Sequence, residues 1–178
     1  MDTAQRMRLA EQLVHEGHDP RKVTHALDWK EFEAFAGASL ELNGLQTAKH
    51  IVFKSRIGRR EIDLLAWNDT LLLVIDCKHW SRGLSHSRAR QVAQAQVERT
   101  KALAERHDLL ERRGIRNCEG RFLMPTILCL TEPGEGIVDG VPIVAVSKLI
   151  SFLYGVSPMD ENLRSIPVTP QAEQTTLI

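Results

Sequence analysis

Apolar residues recur at helical spacing near the start of the chain. Over residues 4–16 they form one stripe, ended by Gly17, which is typical of an amphipathic helix. Asp19-Pro20 combines a helix-capping residue with a proline at the first helical position, and predicts a second short helix to about Leu27. The chain is therefore expected to open with two short helices.

A third helix is predicted to begin after residue 28. Asp28 is a suitable N-cap, and Glu31, three residues later, completes a capping box. Asn43-Gly44 is a typical helix end. The large apolar residues of this helix fall on one side of it, namely Trp29, Phe32, Ala36 and Leu40.

The pattern then changes to that of β-strands. Residues 47–54 and 61–67 are predicted strands, and residues 70–78 form a third strand that is strongly apolar. Asn68-Asp69 is a turn signal between the last two strands. Both faces of residues 71–75 are apolar, so the third strand is predicted to be central in its sheet.

A long helix is predicted over residues 88–107, after the central strand. Residues 125–131 and 142–146 are further strands, and Ser147 is a candidate cap for a last helix through Tyr154. A helix between two strands implies a crossover, so the expected fold class is α/β, with a mixed central β-sheet flanked by helices. The predicted units are a helical N-terminal extension, a main domain and a loose polar tail, at residues 1–27, 28–156 and 157–178.

Composition adds limits on the class of protein. The 178 residues carry 23 basic and 23 acidic side chains, with no apolar run that could span a bilayer and no apolar signal segment. We therefore expect a cytoplasmic protein with no membrane partner. Its three widely spaced cysteines are typical of reduced, partly buried thiols. Residues 54–60 hold four cations and no acid, and could form a basic face on a neutral protein.

Charged residues stand at the ends of two apolar strands, with Asp63 in one and Asp76 and Lys78 in the next. If Asn68-Asp69 is a two-residue loop, Asp63 faces Val74, and Asp76 is its diagonal neighbour at roughly 7–8 Å between Cα atoms. Side chains two residues apart share a face, so this register gathers both acids and the lysine on one face. A slip of one residue would separate them.

Such a cluster favours phosphodiester hydrolysis. Two close carboxylates repel each other unless a positive charge lies between them. Lys78 could provide that charge, and so could Mg²⁺, which takes oxygen ligands and keeps several waters. A metal lowers the pKa of a bound water, and a lysine beside it can orient that water and stabilise the charged transition state. The simpler alternative is a structural salt bridge between Lys78 and Asp63 or Asp76.

Four segments together resemble the PD-(D/E)XK nuclease superfamily, in its Mrr-type restriction endonuclease and archaeal Holliday-junction resolvase branches. They are Trp29-Lys-Glu-Phe-Glu33 in a helix, Glu61-Ile-Asp63 on a strand, Ile75-Asp76-Cys-Lys78-His-Trp80 on the next strand, and the glutamine-bearing helix that follows. The resemblance implies a restriction-endonuclease-like core and a Mg²⁺-dependent deoxyribonuclease, in which Mn²⁺ can substitute.

The resemblance also implies residue roles in the metal site. Asp63 and Asp76 would be metal ligands, and the backbone carbonyl of Cys77 would be a third. Lys78 would be the catalytic lysine.

Two further residues are assigned by the resemblance. Glu33 matches the acidic residue of the first core helix, which completes the site or helps to hold metal; the alternative is a solvated helix acid. Gln91 or Gln94, one turn apart on the long helix, would match the glutamine that often faces the site, and Gln94 is the residue we place there.

The expected substrate is DNA, and restriction-type, repair and junction-resolving enzymes remain open. The alternative is a catalytically inactive nucleic-acid-binding or structural module that keeps the nuclease fold. A homodimer is reasonable, because cutting both strands of a duplex suits two sites. The two N-terminal helices could be a helix-turn-helix reader. A role in covering a sheet edge or in dimerisation is favoured.

Overall fold

The computed structural model describes residues 5, 6, 9, 12, 13, 16–19, 22, 23, 27–78, 80, 85–130 and 133–169. Most of the predicted N-terminal extension lies outside these residues, although its described members at 5–13 and 22–23 are helical. Contacts of its described residues join this segment to the main domain: Arg6 Nε lies 3.0 Å from Glu31 Oε1, Leu27 is buried in the core, and Val23 packs against it. Its role in reading DNA or covering an edge stays a prediction.

The first helix of the main domain, α1 (Trp29–Leu42), begins with the predicted capping box. The Glu31 N–H donates to Asp28 Oδ1 at 2.9 Å, and the Asp28 N–H donates to Glu31 Oε2 at 2.8 Å. Gly44, just past the helix end, has a φ of +81°, a conformation that glycine adopts without steric penalty. The apolar side of the helix is fully buried at Phe32, Ala36 and Leu40.

Seven strands form one sheet. In chain order they are β1 (Gln46–Ser55), β2 (Gly58–Trp67), β3 (Leu72–Lys78), β4 (Phe122–Cys129), β5 (Ile137–Val138), β6 (Val141–Ala145) and β7 (Ile166–Pro167). The order across the sheet is β1-β2-β3-β4-β6-β5, and β7 pairs with β4. The β1–β2 and β2–β3 pairs are antiparallel, whereas β3–β4 and β4–β6 are parallel. The predicted mixed sheet flanked by helices is confirmed.

The remaining described helices lie after β3 and β6. They are α2 (His86–Ala104), α3 (His107–Arg112) and α4 (Leu149–Gly155). The predicted cap of the last helix is wrong, because Ser147 lies inside a 3₁₀ turn, Val146–Lys148, that leads directly into α4. A residue in that turn does not have the extended backbone that a capping side chain requires.

The core lies on both faces of the sheet, and β3 contributes to each. Leu73 and Ile75 belong to the buried cluster that includes Phe32 of α1. Leu72 and Val74 belong to the cluster that includes Leu103 of α2. A strand covered by a helix on each face needs apolar residues at consecutive positions. This arrangement explains the uninterrupted apolar run and the central position predicted for this strand.

The predicted loose tail is wrong for residues 157–169, while residues 170–178 lie outside the described part. Ile166 pairs with Leu123 at the start of β4, and Val168 is 2% exposed. The Val168 N–H donates to Arg121 O at 2.9 Å, and the Thr169 N–H donates to Ala104 O at 3.0 Å. The tail is polar in composition, and for that reason the sequence did not predict that Ile166 and Val168 pack there. The backbone of this segment adds hydrogen bonds beside the start of β4.

The β2–β3 connection also differs from the prediction. Trp67 pairs with Leu72 rather than Thr70, so the loop has four residues instead of two. Asn68 is the physical reason, because its side-chain oxygen accepts hydrogen bonds from the Thr70 and Leu71 N–H groups at 3.0 and 2.8 Å. The register shifts by two residues, and an even shift keeps the parity with which the paired residues of the two strands face each other.

Within the described part of the chain, no helix has both the length and the apolar character needed to cross a bilayer.

Candidate active site

Asp76 lies near the carboxyl end of β3 and is the most deeply buried charge of the predicted cluster, at 1% exposed. Lys78 Nζ lies 2.8 Å from its Oδ2 and 3.0 Å from its Oδ1. Arg99 of α2 approaches from the other side, with Nη1 2.8 Å from Oδ1. A buried carboxylate between two cations is held in one orientation by charge-assisted hydrogen bonds.

Arg99 is a contact that sequence reasoning missed. Asp76 shares a sheet face with Val74, and α2 covers that face. The side chain of Arg99 is 23% exposed, so its guanidinium reaches the acid from the rim of the helix. The only available signal was its spacing of three and ten residues from the buried Gln96 and Ala89. That spacing alone does not identify a partner across the sheet.

The side chain of Asp63 is hydrogen-bonded to the backbone at the carboxyl end of β3. Its Oδ2 accepts a hydrogen bond from the Cys77 N–H at 2.9 Å. The β2–β3 pairing runs to Leu64 and Ile75, and continuing that register puts Asp63 opposite Asp76. Burial raises the pKa of Asp63, the Cys77 hydrogen bond lowers it, and the nearby Asp76 charge raises it further.

Glu33 of α1 faces this pair of acids. Its side chain is 5% exposed, so the alternative of a solvated helix acid does not hold. Burial raises the pKa of Glu33, and the charge on Asp63 adds to that effect. The Trp29 side chain hydrogen-bonds Glu33, and the Trp29 ring centroid lies 6.0 Å from Lys78 Nζ. The structure therefore brings Glu33, Asp63, Asp76 and Lys78 to one place.

His50 of β1 is a second residue that sequence reasoning missed. Its Nε2 lies 3.4 Å from Glu33 Oε2, and its Nδ1 lies 3.7 Å from Glu61 Oε1. Its φ is +49°, a left-handed conformation that is uncommon for residues other than glycine. No pattern in the sequence predicts that conformation.

Gln94 is not brought to this cluster. It is exposed on α2, and its Nε2 donates to Glu98 Oε1 at 3.0 Å. Gln91 is also exposed. The glutamine that faces the sheet is Gln96, whose Nε2 donates to Val74 O at 2.7 Å. The buried residues of α2 recur every three or four positions, and the two predicted glutamines do not lie at these positions. The buried residues include Ala89, Ala93, Gln96, Val97 and Thr100.

Comparison with known protein families identifies the family of the chain that carries this cluster. The family model described as a restriction endonuclease, the Mrr catalytic domain, matches residues 24–115. The match covers more than half of the 178 residues and contains all four clustered side chains together with Arg99. The chain belongs to the Mrr-type restriction endonuclease family. It is therefore a member of a nuclease family with the expected restriction-endonuclease-like fold.

Two individual proteins are also similar to this Mrr-type chain. An uncharacterized protein of Archaeoglobus fulgidus is 29% identical over 125 residues, which cover 70% of this chain and 88% of that protein. A crystal structure of a protein of unknown function aligns with 17% identity and a TM-score of 0.37, over 70% of this chain and 54% of that one. The Mrr-type chain thus spans about half the length of that solved protein.

Nucleases of the Mrr-type family generally use divalent metal ions, and the residues present fit such an ion. Among the described residues, no three His, Cys, Asp or Glu side chains form a complete metal site. Mg²⁺ does not need one, because it is usually held by one or two carboxylates and keeps several waters. Among the described residues, two buried carboxylate oxygens lack a hydrogen bond, Glu33 Oε2 and Asp76 Oδ2, although the latter faces the Lys78 ammonium. Buried, incompletely satisfied carboxylate oxygens suit a hard cation.

The raised pKa of Asp63 predicts how the metal-free protein responds to pH. A folded-state pKa above the unfolded value means that the folded state binds more protons, so its stability falls as pH rises through the raised pKa. We expect Asp63→Asn to melt about 2–6 °C above the wild type at pH 7 in chelator. The amide keeps an oxygen that accepts the Cys77 N–H.

The measurement is a series of melting curves from pH 4 to pH 8. The difference between Asp63→Asn and the wild type should grow with pH and shrink toward the acidic end. Asp69→Asn is the matched control, because Asp69 is an exposed turn residue, and its melting temperature should follow the wild type. An Asp63→Asn variant that melts at or below the wild-type temperature at pH 7 contradicts the prediction.

Proposed function

We propose that the protein is an endonuclease that hydrolyses DNA phosphodiester bonds with the help of Mg²⁺, with Mn²⁺ able to substitute. One observation carries the proposal: Asp76 and Lys78 contact each other at the end of β3, beside an Asp63 whose carboxylate is fixed by the Cys77 N–H. An acid pair with an adjacent lysine has the parts that hydrolysis of a phosphodiester needs.

Each clustered residue has a chemical role in this proposal. Asp63, Asp76 and the Cys77 carbonyl would hold the ion, which neutralises the scissile phosphate and lowers the pKa of a bound water. Lys78 orients that water and stabilises the negative charge that develops on the phosphate. Its side chain is 27% exposed, so the ammonium is accessible to a substrate from solvent.

Two other residues act on the ligands rather than on the substrate. Arg99 holds the Asp76 carboxylate in one orientation through its 2.8 Å contact. It also remains in contact with that carboxylate when Lys78 turns toward the substrate. Glu33 adds a third carboxylate beside Asp63 and increases the attraction of the site for a cation. The proposed site does not include Gln94.

A second candidate function is favoured by the same ion pairs. Asp76 already contacts both Lys78 and Arg99, which is what a purely structural salt bridge at the sheet end predicts. In that case the protein is a catalytically inactive nucleic-acid-binding or structural module. The two functions differ in whether a divalent cation binds and supports cleavage.

The decisive experiment is a cleavage assay with supercoiled plasmid DNA. We expect nicked or linear product in Mg²⁺ or Mn²⁺ and none in chelator, with activity restored when excess metal is added back. Mg²⁺ should also raise the melting temperature of the protein, because a ligand that binds the folded state stabilises it. Intact plasmid in both metals at every protein concentration, with an unchanged melting temperature, contradicts the nuclease and favours the inactive module.

The structure of the preferred DNA and the oligomeric state belong to the same proposal. Parallel assays with linear duplex, nicked duplex and a four-way junction would separate restriction-type, repair and junction-resolving activities. A homodimer provides two sites for two strands, and light scattering in solution measures the mass directly. Linear plasmid product that appears without a nicked intermediate is expected from a dimer, and a nicked intermediate is expected from a monomer.

A further inference from the structure

The connection between β1 and β2 is a strongly basic hairpin. We call residues 54–60 the hairpin tip. The β1–β2 pairing extends to Ser55 and Gly58, so the two strands stay joined to the turn. Because β2 runs antiparallel to β3, the tip lies at the end of β2 that is nearer to Lys78, the last residue of β3.

The hairpin tip carries positive charge without any acid of its own. No Asp or Glu occurs between Glu41 and Glu61, a stretch that contains five Lys or Arg residues. Four of the five belong to the tip, namely Lys54, Arg56, Arg59 and Arg60. Nothing in the tip itself offsets these charges, so they create a local positive potential on a protein of zero net charge.

Solvent can reach most of this charge. Lys54 and Arg59 are exposed, and the side chain of Arg56 is 86% exposed. Arg56 Nε lies 3.3 Å from Glu105 Oε2, but both side chains are exposed and such surface pairs contribute little. Ile57 at the turn is 72% exposed. The Lys54 carbonyl accepts a hydrogen bond from Arg106 Nη1 at 3.1 Å, which holds one side of the tip against the segment after α2. The exposed side-chain cations remain accessible to a partner of opposite charge.

We propose that the hairpin tip is the docking element for double-stranded DNA and holds the duplex against the site formed by Asp63, Asp76 and Lys78. This inference rests on the proposed function for the identity of its partner. A two-stranded ribbon fits the major groove of B-form DNA, and its flanking cations contact the phosphates on either side. The tip and Lys78 lie toward the same end of the antiparallel β2–β3 pair, so one duplex can contact both.

Double-stranded RNA is the less suitable partner. Its major groove is deep and narrow, and side chains do not enter it. A ribbon with an exposed isoleucine at its turn therefore has a groove to occupy in DNA but not in RNA. We expect a DNA duplex to compete better than an RNA duplex of the same sequence.

The test compares two double variants of the full chain. Arg56→Ala/Arg59→Ala removes two cations from the tip. Arg113→Ala/Arg116→Ala removes two exposed arginines from the connection between α3 and β4, outside the tip. Because all four side chains are exposed, both variants should melt within about 2 °C of the wild type.

Binding is measured by fluorescence anisotropy with a labelled DNA duplex in chelator, over a range of salt concentrations. Each lost phosphate contact reduces the slope of log affinity against log salt by about 0.9, so the tip variant should lose about 1.8. Its affinity in low salt should fall at least about tenfold. The control variant should keep the wild-type slope and affinity.

Three results would overturn the inference. The tip variant could bind with the wild-type slope, the control variant could lose as much as the tip variant, or an RNA duplex could compete as well as DNA. These outcomes are separable from failure of the proposed function. Metal-dependent cleavage with tip-independent binding rejects only the docking element. Tip-dependent binding without cleavage rejects only the nuclease activity.

Discussion

Replacing Lys78 by alanine is expected to lower the rate of metal-dependent DNA cleavage by about 100- to 1,000-fold. The same variant should bind duplex DNA in chelator as the wild type does and should fold normally. The rate is expected to fall because Lys78 is the only cation on β3 that contacts Asp76, and its side chain is open to solvent at 27% exposed.

Folding is expected to survive because Asp76 does not depend on Lys78 alone. Arg99 still lies 2.8 Å from Asp76 Oδ1, so the buried acid keeps one cationic partner. Lys101→Ala is the matched control: it removes an exposed lysine of α2 that pairs with Glu98 at 3.0 Å. Initial rates with plasmid DNA decide the matter, and a Lys78→Ala rate within about threefold of the wild type contradicts a catalytic lysine.

Asp76→Ala is expected to remove cleavage and also to destabilise the protein by about 2–3 kcal/mol. The reason for the second effect is an asymmetry in the ion pairs. Either cation can be lost while Asp76 keeps the other, but loss of Asp76 removes the one carboxylate that Lys78 and Arg99 both contact. Removing one partner of a fully buried pair costs more, and the partial exposure of both cations reduces the cost here.

A melting temperature about 5–10 °C below the wild type in chelator is the expected readout for Asp76→Ala. Adding Arg99→Ala to it should recover part of the loss, because the second variant removes one of the uncompensated cations. The coupling between the two changes is obtained from a double-mutant cycle. If the effects of the two single substitutions on stability simply add, the 2.8 Å contact carries no stability and this account fails.

The acids and the lysine could be predicted from the sequence because strand periodicity tolerates an error of two residues. The predicted two-residue loop at Asn68-Asp69 is wrong, and yet Asp63 of β2 still lies beside Asp76 and Lys78 at the end of β3. An error of one residue would have moved Asp63 to the other face. The prediction depended on parity, and the polar side chain of Asn68 lengthened the turn by an even number.

The partners contributed by other elements could not be predicted in the same way. Arg99 reaches Asp76 from α2, and His50, whose backbone φ is +49°, reaches Glu33 from β1. Both contacts depend on how a helix or an edge strand lies against the sheet, which periodicity does not specify. The capping box of Asp28 and Glu31 succeeded for the opposite reason, since all of its hydrogen bonds are local.

The last described strand has a consequence for the order in which the chain can complete its fold during synthesis. The candidate catalytic residues have been synthesised once residue 78 is added, and all of α2 has been synthesised once residue 104 is added. The carbonyls of Ala104 and Arg121 acquire their partners only when Val168 and Thr169 follow. A nascent chain therefore contains the acids and the lysine of the candidate site while some ninety further residues are translated. Only then can β7 pair with the start of β4 beside α2.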